Sequence, residues 1–419
     1  MKTALVLAGG GSRGAYQIGA WQALREIGIT VDIVTGTSVG ALNGALIAQN
    51  SFSTALAVWK ALDTQMVFDI SGKPTFGEYA KEFLKKKGAS ANGLKTLLEE
   101  YLVEDLIRQS PIELGLVTVK KKGLEPLEVY TEEIPKGQLN DYLLASAACY
   151  PAVKSHLINE TEYIDGGYYD NMPIHLAEKK GADRMIVINL ESVGLLKNSV
   201  KALKEAKNVT YISPKWDLGN FLVFEQKTIK RNIRLGYLDT LKAFGFFDGN
   251  LYTFAKHEFS QFAKKKAVTL KKWKTFFTSA RLSGNLLHQA GYAALEAHLK
   301  SLSQKPLVMP VILETAAELT GKILEVDPLV LYNPESFHNQ LSEKAKDWFL
   351  EKEVAELLKN YDEKSFSPKA RWLKKLDSKT ATLFFASVAK TNPEFIFPVA
   401  TLFPKESIAG MYLNIFDLL

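Results

Sequence analysis

Residues 5–14 read Leu5-Val6-Leu7-Ala8-Gly9-Gly10-Gly11-Ser12-Arg13-Gly14. A short apolar run that stops at glycines is the pattern of a parallel strand buried on both faces. The amphipathic segment that follows, from about Ala15 to Ile27, reads as a helix with Gly28 as its stop. The same three-part unit then recurs. Asp32-Ile33-Val34-Thr35 is a second strand, Gly36-Thr37-Ser38-Val39-Gly40 a second glycine turn, and Ala41 to Gln49 a small-residue helix. Farther along, residues 114–119 and 185–190 read as two more central strands. Strands separated by helices require right-handed crossovers, so the expected fold class is α/β, a mainly parallel central sheet with helices on both faces.

From about Asn250 the glycine-tipped strands give way to long helical patterns, such as Ala290 to Leu302, Leu313 to Leu324 and Lys344 to Tyr361. At 419 residues the chain exceeds what one core usually supports. The expected division is an α/β domain over 1–250 and a mostly helical C-terminal domain over 251–419.

The opening apolar run is too short for a signal peptide. The longest membrane-span candidate, around Thr380 to Phe403, is interrupted by Lys390, Pro393, Glu394 and Pro398. Cys149 is the only cysteine, which excludes an intramolecular disulfide and fits a reducing compartment. The expected location is therefore cytoplasmic, with any lipid contact peripheral at the inner membrane face. The net charge of +6 is compatible with an anionic surface. Lys256 to Phe277 interleaves Lys264, Lys265, Lys266, Lys271, Lys272 and Lys274 with Phe259, Phe262, Trp273, Phe276 and Phe277. That mixture suits a membrane interface, but a helix with one core face and one solvated face is the favoured reading. No nucleic-acid module accompanies it. Lys85-Lys86-Lys87 reads as a solvated face and Lys120-Lys121-Lys122 as a hairpin tip.

Three pieces carry chemistry. The run Gly9 to Gly14 places unobstructed backbone amides at a helix N-terminus, an arrangement that suits any oxyanion. Gly36-Thr37-Ser38-Val39-Gly40 is a G-x-S-x-G elbow between a strand and a helix, as that motif requires. Asp165-Gly166-Gly167 follows the apolar Tyr163-Ile164 and puts a carboxylate on a sharp turn. No histidine accompanies either glycine loop.

In that order, Gly9-Gly10-Gly11-x-Arg13-Gly14, Gly36-x-Ser38-x-Gly40 and Asp165-Gly166-Gly167 resemble the three motifs of patatin-like phospholipases. Residues 145–151 (Ala-Ser-Ala-Ala-Cys-Tyr-Pro), Ile212-Ser213-Pro214 and 235–239 (Leu-Gly-Tyr-Leu-Asp) are also similar to segments of that family. The resemblance covers roughly residues 1–245. It implies a three-layer α/β/α domain that hydrolyses phospholipid or other lipid acyl esters, with a Ser38–Asp165 dyad and neither metal nor cofactor. In that scheme the amides of the loop Gly9, Gly10, Gly11, Ser12, Arg13 and Gly14, chiefly those around Gly10, Gly11 and Ser12, form the oxyanion hole. Asp165 acts as base for Ser38, and an acyl-serine is then hydrolysed.

Each signal has a plainer reading. Gly9-x-Gly11-x-x-Gly14 also fits a dinucleotide fingerprint, but Asp32 opens its strand, so its acid would face away from the ligand edge. Ser38 alone could be a helix N-cap and Asp165 a turn residue. Asp170 and Asn171 read mainly as caps for a helix beginning near Pro173. His156 or His175 would complete a Ser-His-Asp triad, a less favoured arrangement. Arg13 either anchors its loop, the favoured role, or meets a lipid phosphate. The competing function is a non-catalytic lipid- or partner-binding module on the same fold.

Overall fold

The computed structural model describes residues 1–68, 88–192, 203, 208–303, 305–349, 352–361 and 372–419. Two compact units divide the chain, Met1–Phe244 and Gly245–Leu419.

The first unit is built on a sheet of eight strands. They are β1 (Thr3–Leu7), β2 (Ile33–Thr37), β3 (Glu113–Lys120), β4 (Pro126–Tyr130), β5 (His156–Ile158), β6 (Thr161–Asp165), β7 (Arg184–Ile188) and β8 (Val209–Ile212). Their order is β5-β6-β3-β2-β1-β7-β8, with β4 paired to β3. The run β3-β2-β1-β7-β8 is parallel throughout, which is why β1 and β2 are fully buried. The remaining pairs are antiparallel; β3–β4 and β5–β6 are joined by short hairpin connections, whereas β6 returns to pair with β3 after a longer one. Asn159 and Glu160, both at positive φ, close the two-residue β5–β6 hairpin.

The helices used below are α1 (Ala15–Glu26), α2 (Val39–Ala48), α3 (Phe52–Ala61), α4 (Asn92–Tyr101), α5 (Leu139–Ser146), α6 (Ile174–Lys179) and α7 (Gln226–Ala243). Successive residues of a strand point to opposite faces of its sheet. Gly44 of α2 lies over Leu114, whereas Leu176 of α6 lies over Gly115, so α2 and α6 cover opposite faces. Helices α1 and α7 pack together, and the buried Tyr16 hydroxyl donates to Asp239 at 2.8 Å.

The second unit is mostly helical, with the longest helices at Leu286–Ser303, Pro334–Phe349, Ala267–Arg281 and Met309–Ile323. It also holds a small sheet of Leu331–Tyr332, Thr253–Ala255 and Phe247–Asp248, strands too short to leave a periodic signal in the sequence. The helical pattern over Lys344 to Tyr361 falls on the end of Pro334–Phe349 and on Lys352–Lys359, with residues 350–351 outside the described residues.

Within Lys256 to Phe277, Phe259, Phe262 and Trp273 are buried, while Lys264, Lys265, Lys266, Lys271 and Lys274 are exposed. This is the core-face and solvated-face pattern; the side chains of Lys272 and Phe276 lie outside the described residues. So do Lys85-Lys86-Lys87, whereas Lys120-Lys121-Lys122 does sit at the β3–β4 hairpin tip.

Candidate active site

Strands β1 and β2 are parallel neighbours, so both glycine turns leave the sheet at its carboxyl edge. The second turn is the tighter. A Cβ on Gly36 would collide with the Gly40 backbone, and one on Gly40 with the Leu7 carbonyl. Between them Ser38 is held at φ 55° and ψ −128°, a strained backbone for a residue with a side chain. Its hydroxyl makes no capping bond to α2, which removes the N-cap reading.

Register brings the other two pieces alongside. Thr37 of β2 pairs with Val117 of β3, and the next β3 residue, Thr118, pairs with Asp165 of β6. Asp165 is 6% exposed. Burial raises its carboxyl to about 6, against the opposing pull of the Gly167 amide, which donates to Oδ1 at 2.8 Å, and of the Ser38 hydroxyl as hydrogen-bond donor. A Cβ built on Gly9 would stand 3.0 Å from the Ser38 Cβ, which puts the first turn beside the same hydroxyl.

The first turn is held from several sides. The Ser12 amide donates to the Phe221 carbonyl at 2.8 Å, and its hydroxyl to the Asn220 carbonyl at 2.8 Å. The Gly9 amide donates to Asn171 O at 3.1 Å and the Arg13 amide to Gly10 O at 3.2 Å. Only the amides of Gly10 and Gly11 are left unpaired in this turn from Gly9 to Arg13, among the described residues. Both glycines line the cavity that Ser38 and Asp165 enter. The Ser12 amide, expected among the oxyanion donors, is thus engaged elsewhere. Arg13 directs Nε to Gly219 O at 2.9 Å and Nη1 to Glu191 O at 2.8 Å, the anchoring role rather than a ligand contact.

Three participants escaped the sequence reading. Ser146, at the end of α5, accepts the Ser38 amide at 3.0 Å and donates to Val117 O at 2.7 Å. Asn171 does not cap α6. Buried, it donates Nδ2 to Ser192 Oγ at 3.1 Å and to Gly9 O at 3.4 Å. Gly219 to Phe221 form the strap that receives Ser12 and Arg13. Ser146 and Asn171 lie in the stretches singled out around the aspartate turn; the strap left no mark.

The histidines are committed elsewhere. His175 contacts Asp170 through Nδ1 at 2.9 Å and Glu128 through Nε2, and these two carboxylates raise its ring to about 9. His156 Nε2 lies 3.0 Å from Asp141 Oδ1. Asp32 sits at the amino end of β2, where its carboxylate takes the Thr3 amide at 2.7 Å, away from both turns. The dinucleotide reading therefore lacks its acid.

The cavity has a volume of about 700 Å³ and walls made mainly of leucine, valine and aromatic side chains. Cys149 borders it, its thiol pushed up to about 12 by burial and by the charge of Asp165.

Residues 5–178 match the family model described as patatin-like phospholipase. Over 195 residues the chain is 34% identical to a patatin-like phospholipase domain-containing protein of Caenorhabditis elegans, a match covering 45% of this chain and 14% of that one. It is 30% identical over 201 residues to patatin-like phospholipase domain-containing protein 7 of Rattus norvegicus, covering 45% and 14%. With a lysophospholipase of Debaryomyces hansenii it shares 24% identity over 200 residues, covering 45% and 12%. The chain thus spans only 12–14% of the length of these relatives. Among solved structures, VipD from Legionella pneumophila aligns with 100% of this chain and 91% of its own at 13% identity and a TM-score of 0.38, too loose a likeness to build on.

Proposed function

We propose, from the premise that residues 5–178 form a patatin-like phospholipase domain, that the chain is a lipid acyl hydrolase working through Ser38 and Asp165. The observation that carries this reading is the buried Asp165 carboxyl, raised to about 6 and within reach of the Ser38 hydroxyl. A carboxylate is a weak base for a hydroxyl in water. Raised to about 6, it is ionised at neutral pH yet a better proton acceptor than an ordinary aspartate.

In the reaction, Ser38 Oγ attacks the ester carbonyl carbon as its proton passes to Asp165. The oxyanion is received by the Gly10 and Gly11 amides, donors already oriented before substrate arrives. The intermediate collapses to the acyl-serine, and the departing alcohol takes the proton from Asp165. A water then gives its proton to Asp165 as it attacks the acyl carbonyl. Collapse of this second intermediate releases the fatty acid and returns the proton to Ser38.

The substrate class is an acyl ester of a glycerophospholipid or related lipid. We place the work at the inner face of a membrane, reached peripherally, with the exposed lysines of Lys256 to Phe277 offering attraction to anionic lipid. No helix among the described residues is long and apolar enough to cross a membrane.

The test is labelling by a fluorophosphonate probe together with turnover of long- and short-chain acyl esters. The probe should attach at Ser38, and Ser38→Ala and Asp165→Asn should each abolish hydrolysis with an unchanged circular dichroism spectrum. Undiminished turnover by Ser38→Ala ends the proposal. Vesicle binding without turnover of any ester would favour the non-catalytic module instead.

A further inference from the structure

We infer that the cavity is an acyl-chain pocket running from Ser38 along α2, and that Leu46 forms its end and sets the longest chain accommodated. This rests on Ser38 being the nucleophile.

Helix α2 is buried at every position but two, Leu42 and Leu46. These stand one turn apart on a single stripe and are half-buried because the cavity opens against them. Ser38 lies at the head of that stripe, and Leu46 is eight residues on. At about 1.5 Å per residue the separation along the helix is roughly 12 Å. Opposite, α4 offers Leu94, Leu98 and Tyr101 at helical spacing to the same space.

Beyond Leu46 the two helices are drawn together by one side chain. Gln49 donates Nε2 to the Tyr101 carbonyl at 3.0 Å and accepts the Val103 amide at Oε1 at 2.7 Å. This tie closes the far end.

Past its mouth the described lining residues offer few polar groups, and the Tyr101 hydroxyl is already hydrogen-bonded to Glu100. Asn43 does border it, but its amide group is committed on both sides. Nδ2 donates to Gly14 O at 3.1 Å and to Gln17 Oε1 at 2.8 Å, while Oδ1 accepts from Trp59 Nε1 at 2.9 Å. A wall of leucines with its one amide already paired selects methylenes and rejects groups that need hydrogen bonds. A carbon–carbon bond of about 1.5 Å at a near-tetrahedral angle advances an extended chain by roughly 1.25 Å, so the stripe accommodates about ten carbons.

The measurement is kcat/KM for p-nitrophenyl esters from acetate to palmitate, each below its aggregation concentration. For wild type it should climb by about fourfold per methylene, the value of burying one, and then level off near ten carbons. Leu46→Phe should move the break to shorter chains and Leu46→Ala to longer ones, each read within that variant's own ester series. An unbroken climb, or a break that neither variant moves, overturns the inference. Should Leu46→Phe fail to fold, seen as loss of butyrate turnover as well, Leu46→Ala alone decides. Failure of the underlying reading looks different, because Ser38→Ala would then hydrolyse every ester as well as wild type.

Discussion

Arg13 Nε donates to the carbonyl oxygen of Gly219 at 2.9 Å, a bond that joins residues 206 positions apart. With the two bonds from Ser12 to Asn220 and Phe221, it ties the first glycine turn to a strap from outside the matched stretch. The turn's two unpaired amides, Gly10 and Gly11, are therefore aimed by carbonyls supplied from the strap and from the β7 side, where Glu191 holds the other arm of the guanidinium.

Replacing Arg13 by lysine keeps the charge but loses the planar fork that bridges Gly219 and Glu191. We expect kcat to fall on the order of 10²-fold, as when oriented donors are displaced by about an ångström, with KM for a butyrate ester little changed. Steady-state kinetics of Arg13→Lys check this. An equal loss in KM at constant kcat would mean that Arg13 meets substrate.

Gly11 stands at φ +54°, and a Cβ there would collide with the Phe221 carbonyl oxygen that receives the Ser12 amide. Gly11→Ala should push the strap off the turn. Turnover should drop by 10² or more, because an oxyanion donor is misplaced. Thermal unfolding should show a folded protein of lower Tm.

Ser146→Ala leaves both the Ser38 amide and the Val117 carbonyl without their partner in a buried setting. A cost of about 1–3 kcal/mol is expected for such orphaned groups, read from denaturant melts. The strained Ser38 backbone loses a restraint, so kcat should fall as well.

Activity should depend on Asp165 being ionised. With its carboxyl raised to about 6, kcat/KM should rise with pH to a midpoint near 6 and stay level above it. Stability should run the other way. The folded protein holds this proton more tightly than the unfolded chain, so the associated stability is full below about pH 4 and is lost as pH rises through 6. The interval from 3.8 to about 6 corresponds to about 3 kcal/mol. Asp165→Asn, which keeps an acceptor for the Gly167 amide, should therefore exceed wild type in Tm at pH 8, with the gap closing at pH 4.

Strands β1 and β2 and both glycine turns were legible because each is a local pattern: an apolar run, a glycine break, a helix. Asp165 was legible for the same reason. Ser146 and Asn171 were in view yet misjudged or passed over, since their partners lie 108 and 162 residues away and nothing local marks a hydroxyl or amide as restraining another turn. The strap was invisible. Gly219, Asn220 and Phe221 act through backbone carbonyls, which any sequence supplies, so no side chain advertises the contact. In the second unit, long helices showed through their periodicity. Strands of two or three residues carry too few alternations to register.

The strap also bears on where this chain can be cut. A fragment ending at residue 178, where the family match stops, would take with it Ser38, Asp165 and all three glycine motifs. It would lack β7, the strand beside β1, and every carbonyl that Arg13 grips. Such a piece would hold the proposed reactive groups around a glycine loop that keeps its Gly9 bonds to Asn171 but loses those of Ser12 and Arg13 to the strap. The family match ends at residue 178, whereas the strap that braces the first glycine turn lies beyond it, at Gly219 to Phe221.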